Sequence, residues 1–249
     1  MVVSAHPLAS EVGINILKKG GNAADATIAV QFALAVVYPS AGNIGGGGFF
    51  VYRSKDGQCS TLDFREKAPL TSTRDMYLDS SNNVIKNLSL YSHLAVGVPG
   101  TVDGMVNIHK KYGQIPWKEL VQPAIDLATN GFELTRLEAN KLNRFNKTKG
   151  KINKNSEYYK EHFSEGDSIF LPQLSKTLIL IRDHKRAGFY SGGTAEMLVK
   201  EMSLNGGKIT QQDLDSYQSI WRDPTICFYK GHKIISMSPP SSGGILLTQ

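Results

Sequence analysis

Phe49-Phe50-Val51-Tyr52-Arg53-Ser54-Lys55-Asp56-Gly57-Gln58-Cys59-Ser60-Thr61-Leu62-Asp63-Phe64 decides the fold class. Aromatic and β-branched residues dominate both flanks, and Asp56-Gly57 lies between them. An Asp-Gly pair suits a tight hairpin, because glycine enters the left-handed backbone region without a steric cost. The stretch therefore predicts strands over 49–53 and 58–64, joined through Lys55-Asp56-Gly57.

Upstream, residues 39–48 form a long turn ending in four glycines. Before it, Asn22 or Asp25 caps a helix running through Val37. That helix is apolar on nearly every face, the mark of a buried helix. Leu8, Val12, Ile16 and Leu17 repeat at helical spacing over 8–19, and Gly20-Gly21-Asn22 stops that helix. Downstream, a loop runs from Pro69 to about Asn87, and Gly97-Val98-Pro99-Gly100 reads as extended. Helices are predicted over 101–112, 117–130, 172–185, 194–205 and 211–218. Residues 134–164 are polar and partly helical, and 225–237 read as two strands around Lys230-Gly231. This order predicts an α+β fold, with helices packed on antiparallel sheet. The chain reads as one domain over 1–249, with a helical surface lobe over 134–220.

Composition agrees with a globular protein: 249 residues, 41% hydrophobic and 20% charged. Two cysteines, Cys59 and Cys227, cannot build a disulfide scaffold or a cysteine zinc site, and whether they pair stays open. Residues 141–160 carry seven Lys and Arg against one acid, which equals the net charge of +6. No nucleic-acid-binding pattern accompanies that stretch, so it reads as a solvated surface. The apolar run from 26 to 38 is shorter than the ~18 residues a spanning helix needs. No signal peptide follows Met1, so any export signal would be encoded upstream.

Three segments could carry chemistry. Gly42-Asn43-Ile44-Gly45-Gly46-Gly47-Gly48 lies after a helix and before a strand, the reverse of a phosphate loop, and no Gly-Lys-Ser/Thr follows. Such glycines let a buried strand start against a close neighbour. Asp63-Phe64-Arg65-Glu66-Lys67-Ala68-Pro69 has two readings. One is a surface ion network of Asp63, Arg65 and Glu66; the other is an arginine fork that grips a carboxylate through paired hydrogen bonds. Ser238-Pro239-Pro240-Ser241-Ser242-Gly243-Gly244 reads as a tight turn before a helix. It contains no Gly-x-Ser-x-Gly elbow, and the six histidines form no recognisable constellation.

Together and in order, these segments resemble the γ-glutamyltranspeptidase family. The resemblance also takes in His6-Pro7-Leu8-Ala9-Ser10, Gly20-Gly21-Asn22-Ala23-Ala24-Asp25-Ala26 and Val98-Pro99-Gly100-Thr101-Val102. It spans essentially the full chain. It implies an N-terminal-nucleophile hydrolase fold, a four-layer αββα sandwich, of which this chain would be the large-subunit part, incomplete without the small subunit. In such proteins a zymogen cuts itself autocatalytically, and the new N-terminal threonine of the small subunit attacks a γ-glutamyl amide. Its α-amine serves as general base, and backbone N–H groups hold the oxyanion.

The implied activity is γ-glutamyl transfer or hydrolysis on glutathione and related compounds. Water or an amino acid or peptide acceptor resolves the acyl-enzyme, and no metal or organic cofactor is required. The implied partners are the chain's own small subunit and these substrates, with no nucleic acid; the implied location is periplasmic or extracellular. No Thr-Thr or Thr-His pair occurs here, so no catalytic residue is assigned to this chain, which reads as a piece truncated at both ends and inactive alone. Arg65 matches the family arginine that binds the substrate α-carboxylate, with Asp63 and Glu66 as its supports. Two rivals remain: a related acylase of the superfamily acting on a dicarboxylate side chain, and a non-catalytic γ-glutamyl-binding or assembly module.

Overall fold

The computed structural model describes residues 1–148 and 162–249. Helix α1 (Pro7–Lys18) starts at His6, whose Nδ1 accepts a hydrogen bond from Leu8 N. Helix α2 (Ala23–Val37) opens with a capping box, in which Asn22 Oδ1 accepts from the Asp25 N–H and Asp25 Oδ2 from the Asn22 N–H. Asn22 is thus the cap and Asp25 the third helical residue, which resolves the choice the sequence left open. Asp25 is fully buried and also accepts from Gln114 N and Ile115 N, so it ties the helix start to a distant loop.

Strands β1 (Phe49–Arg53) and β2 (Cys59–Asp63) form the expected antiparallel hairpin, in register Phe49↔Asp63 through Arg53↔Cys59. After the expected loop, which ends near Asn87, the stretch expected to run extended through Gly100 instead begins with a short helix α3 (Leu88–Tyr91) and a 3-10 turn at His93–Ala95. Helices α4 (Thr101–Tyr112) and α5 (Trp117–Asn130) follow as predicted. A two-stranded ribbon, β3 (Phe132–Glu133) with β4 (Ser168–Ile169), flanks α6 (Arg136–Thr148) and has no counterpart in the sequence reading. The helices α7 (Pro172–His184), α8 (Ala187–Tyr190), α9 (Gly192–Leu204) and α10 (Gln211–Ser216) come next. The chain closes with β5 (Ile220–Arg222), the hairpin β6 (Thr225–Tyr229) and β7 (His232–Ser236), and α11 (Ser242–Thr248). Lys230 and Gly231, both at positive φ, make the turn of that hairpin.

The main sheet has the order β1-β2-β5, so the hairpin gains a third strand from far along the chain, with Thr61↔Arg222 and Asp63↔Ile220 paired. Phe50, Tyr52, Ser60, Leu62 and Trp221 share one face by strand alternation. Tyr112 of α4 covers that face, touching the rings of Phe50, Tyr52 and Trp221 and hydrogen-bonding Ser60 Oγ. Val51 and Ile220 lie on the opposite face and are 45% and 39% exposed. Buried residues from Ala9 to Tyr217 form one hydrophobic cluster, to which residues 134–220 contribute Leu142, Leu178, Ile181 and Tyr190. Of the basic stretch, Lys141, Arg144 and Lys147 lie exposed on α6, whereas Lys149, Lys151, Lys154 and Lys160 lie outside the described residues. Cys59 and Cys227 are free thiols.

Candidate functional site

β2 ends at Asp63, and its pairing continues one residue further: Phe64 N donates to Gly48 O at 3.1 Å and Gly48 N to Phe64 O at 3.3 Å. Gly100 N and Thr101 N both donate to Gly46 O, at 2.7 and 3.0 Å. Lys67 and Val98 exchange backbone hydrogen bonds of 3.2 and 2.7 Å. Residues 46–48, 64–67 and 98–101, three of the motif segments singled out above, thereby meet around the main chain of Arg65. The contact is too close for side chains on the glycine side. A Cβ at Gly47 would lie 2.4 Å from Phe64 O and 2.9 Å from Arg65 Cα. The glycine cluster is used as expected, to admit a neighbouring backbone.

Arg65 is exposed, yet its main chain is anchored on both sides. Its N–H donates to Asp63 Oδ1 at 3.1 Å, and its carbonyl accepts from Tyr217 Oη at 2.8 Å. Its Nη1 donates to Pro240 O at 3.4 Å, which brings the Pro-Pro-Ser-Ser-Gly-Gly segment beside the guanidinium. Among the described residues, no ion pair joins Arg65 to Asp63 or Glu66, so the surface-network reading is corrected. The other oxygen of Asp63 pairs with Arg222, at 3.0 Å from Nε and 2.9 Å from Nη2. Strand pairing sets this choice, because β5 brings Arg222 alongside β2. Glu66 is exposed, with its Cβ against Gly97.

A second layer lies beneath this loop. Asp103 is 4% exposed, pairs with Arg186 Nε at 2.9 Å and accepts from Ser219 N and Oγ, both at 2.7 Å. Arg186 Nη2 donates to the carbonyl of Tyr217 at 2.7 Å, and Tyr217 stacks on Tyr190. Burial first, then the charges of Asp103, Asp63 and Glu66, pushes the Tyr217 phenol well above its ordinary range, so it stays a hydrogen-bond donor. Asp213 accepts from Leu70 N at 2.6 Å and from Thr210 N and Oγ1, pinning the far end of the Arg65 loop to the start of α10. Burial raises its carboxyl, but these hydrogen bonds outweigh burial and hold it below its ordinary value. The sequence reading missed Asp103, Arg186, Tyr190, Tyr217 and Arg222. Only Asp103, two residues past the Pro-Gly-Thr segment, carried any positional hint.

Ser241 caps α11, its Oγ accepting from Gly243 N at 3.2 Å, so the segment serves as the expected turn before a helix. The described histidine contacts run elsewhere, His6 to Glu138, His93 to Glu201 and His109 to Ile115 O. Among the described residues, no group of three or more His, Cys, Asp and Glu side chains could hold a metal ion. Two hollows open on the described surface. One is lined by Cys59, Lys111, Trp221 and Arg222, the other by residues of α9, and Arg65 lines neither.

The family model described as gamma-glutamyltranspeptidase matches residues 9–249. A glutathione hydrolase proenzyme of Pseudomonas sp. (strain A14) is 46% identical over 253 residues, covering 100% of this chain and 44% of that protein. This chain thus spans less than half the length of that curated relative. The crystal structure of Helicobacter pylori gamma-glutamyltranspeptidase superposes with a TM-score of 0.95 at 47% identity, covering 99% of this chain and 72% of that one. A cephalosporin acylase from Bacillus halodurans is similar at a lower level, with a TM-score of 0.80 at 25% identity over 94% of this chain and 45% of that one.

Proposed function

The chain belongs to the γ-glutamyltranspeptidase family, and from that premise we propose that it serves as large-subunit sequence of a γ-glutamyltransferase or glutathione hydrolase. Its fold is the α+β N-terminal-nucleophile hydrolase fold, of which it supplies a helix layer and part of the sheet. The relative from Pseudomonas sp. is a proenzyme by name, which supports a small-subunit partner cut from one precursor.

In the reaction, the threonine hydroxyl of the small subunit adds to the γ-amide carbonyl of the substrate. Its proton passes to the threonine α-amine, which hands it to the departing nitrogen as the C–N bond breaks and the amine product leaves. Water or an acceptor amine then takes the acyl group. Arg65 holds the α-carboxylate, which does not react, and so binds the γ-glutamyl group by an end whose contacts stay the same through the reaction. Asp63 orients the Arg65 main chain. Glu66 stands beside it as a weaker support. No described helix is long and apolar enough to cross a membrane. On the family resemblance alone, we propose a periplasmic or extracellular location.

One observation carries this reading. Among the described residues, the Arg65 guanidinium makes one long hydrogen bond and no ion pair, while the Asp63 carboxylate two residues before it is engaged by Arg222. A rigidly rooted, exposed arginine with unspent donors suits a carboxylate ligand. The test compares purified 1–249 with a complete precursor carrying this sequence, using a γ-glutamyl anilide and a glutaryl anilide. The precursor is expected to release aniline from the γ-glutamyl compound preferentially, and 1–249 alone to release none. Preference for the glutaryl compound would favour the acylase reading, and no turnover by a matured precursor would favour a binding module.

A further inference from the structure

We infer that Tyr217 is a positioning residue for Arg65, its hydroxyl fixing the main chain from which the guanidinium reaches the carboxylate. The inference rests on the carboxylate-binding reading of Arg65. Tyr217 lies directly after α10 and is 2% exposed, yet its Oη donates to Arg65 O at 2.8 Å across 152 positions of sequence. A phenylalanine would fill the same core volume, so the hydroxyl contact is additional to packing.

The ring has little freedom. It stacks on Tyr190, with centroids 5.9 Å apart and planes 11° from parallel, and Lys67 Nζ lies 5.0 Å above it. Arg186 holds the Tyr217 carbonyl, and Asp103 holds Arg186. The hydroxyl is therefore delivered to one acceptor. An independent observation agrees. A Cβ at Gly100 would lie 2.0 Å from Tyr217 Oη and 2.1 Å from Phe64 O, so glycine at that position keeps the path to Arg65 open.

Asp63 fixes the Arg65 N–H and Tyr217 the Arg65 carbonyl, one anchor on each side of the Cα. Loss of one anchor leaves the guanidinium charge and reach intact but widens its range of orientations. The carboxylate is bound alike in ground and transition states, so the effect falls on KM and not on kcat.

The test is Tyr217→Phe in a complete precursor carrying this sequence, assayed with γ-glutamyl-p-nitroanilide and with kcat expressed per titrated active site. KM is expected to rise about three- to tenfold, the effect of one lost hydrogen bond, with kcat and the matured fraction unchanged. In an Arg65→Lys background the same change is expected to add little, because both act through one group. An unchanged KM in Y217F, with a raised KM in R65K, would overturn the positioning role and leave the Arg65 reading standing. Equal effects of Y217F in both backgrounds, or loss of matured enzyme, would assign Tyr217 to the fold and overturn it as well. An unchanged KM in R65K would remove the carboxylate reading itself, and the inference with it.

Discussion

Asp63 pairs with Arg222 at 2.9 Å, although Arg65 stands two residues away in sequence. One carboxylate thereby does two tasks. It closes the β2–β5 edge through Arg222 and holds the main-chain N–H of Arg65. Asp63→Asn keeps an oxygen acceptor for Arg65 and removes the charge that Arg222 faces. Because Arg222 is about a third exposed, solvent screens much of the loss. A destabilisation of about 1–2 kcal/mol is expected, typical of a lost charge-assisted hydrogen bond, measured by urea unfolding. No change in midpoint would mean that the pair is superficial.

The glycines of the cluster are predicted to differ sharply. Gly47→Ala would press a methyl group on backbone atoms of residues 64–66, which cannot swing aside. It is expected to cost about 1–3 kcal/mol, as overpacking does. Gly45 has no atom within 4 Å of an added Cβ, and Gly45→Ala should stay within about 0.5 kcal/mol of the parent. Equal midpoints for the two variants in chemical denaturation would contradict the close approach of these segments.

Acid should loosen the Arg65 loop through Asp213. The folded state holds this carboxyl below its ordinary 3.8, so the ionised form is bound more firmly in the fold than in the unfolded chain. Its contribution is complete at neutral pH and is lost as pH falls from the ordinary carboxylate value through the lowered one. Asp213→Asn should therefore lower stability at pH 7 and flatten its decline on acidification. An equally steep decline in the variant would exclude this group as the cause.

Association of 1–249 with itself is expected. Phe228 and Tyr229 on β6, and Leu246 and Leu247 on α11, are 74%, 61%, 66% and 59% exposed. Exposed apolar surface of this kind favours association. Light scattering should show mass rising with concentration, and F228E with L246E should shift the chain toward monomer. A concentration-independent monomer of the parent chain would contradict this.

What could be read in the sequence was local. The β1–β2 hairpin followed from Asp56-Gly57, and α2 from Asn22 and its all-round apolar run, because neighbours along the chain set both. β5 gave no period-2 signal in three residues, Ile220-Trp221-Arg222. Its pairing with β2, and with it the capture of Asp63 by Arg222, depends on a chain path of 159 positions. The contact of Tyr217 with Arg65 was hidden for the same reason. The glycine segment announced a close neighbour without saying which; the structure assigns Phe64 and Arg65. Sequence proximity also misled, since Asp63, Arg65 and Glu66 suggested a mutual ion network that the strand end does not form.

The central claim is that Arg65 grips the α-carboxylate of a γ-glutamyl group, and its kinetics test this most directly. The measurement is kcat/KM for a γ-glutamyl anilide in a complete precursor carrying Arg65→Lys or Arg65→Gln, with autocleavage followed by gel. Lysine keeps the charge and loses the fork, and glutamine loses both. The specificity constant is expected to fall about ten- to a hundredfold, more for glutamine, the scale of a lost charge-assisted hydrogen bond or pair. Autocleavage should persist, because the cut peptide presents no free α-carboxylate to Arg65. Wild-type specificity constants in both matured variants would contradict the claim and return Arg65 to a surface role.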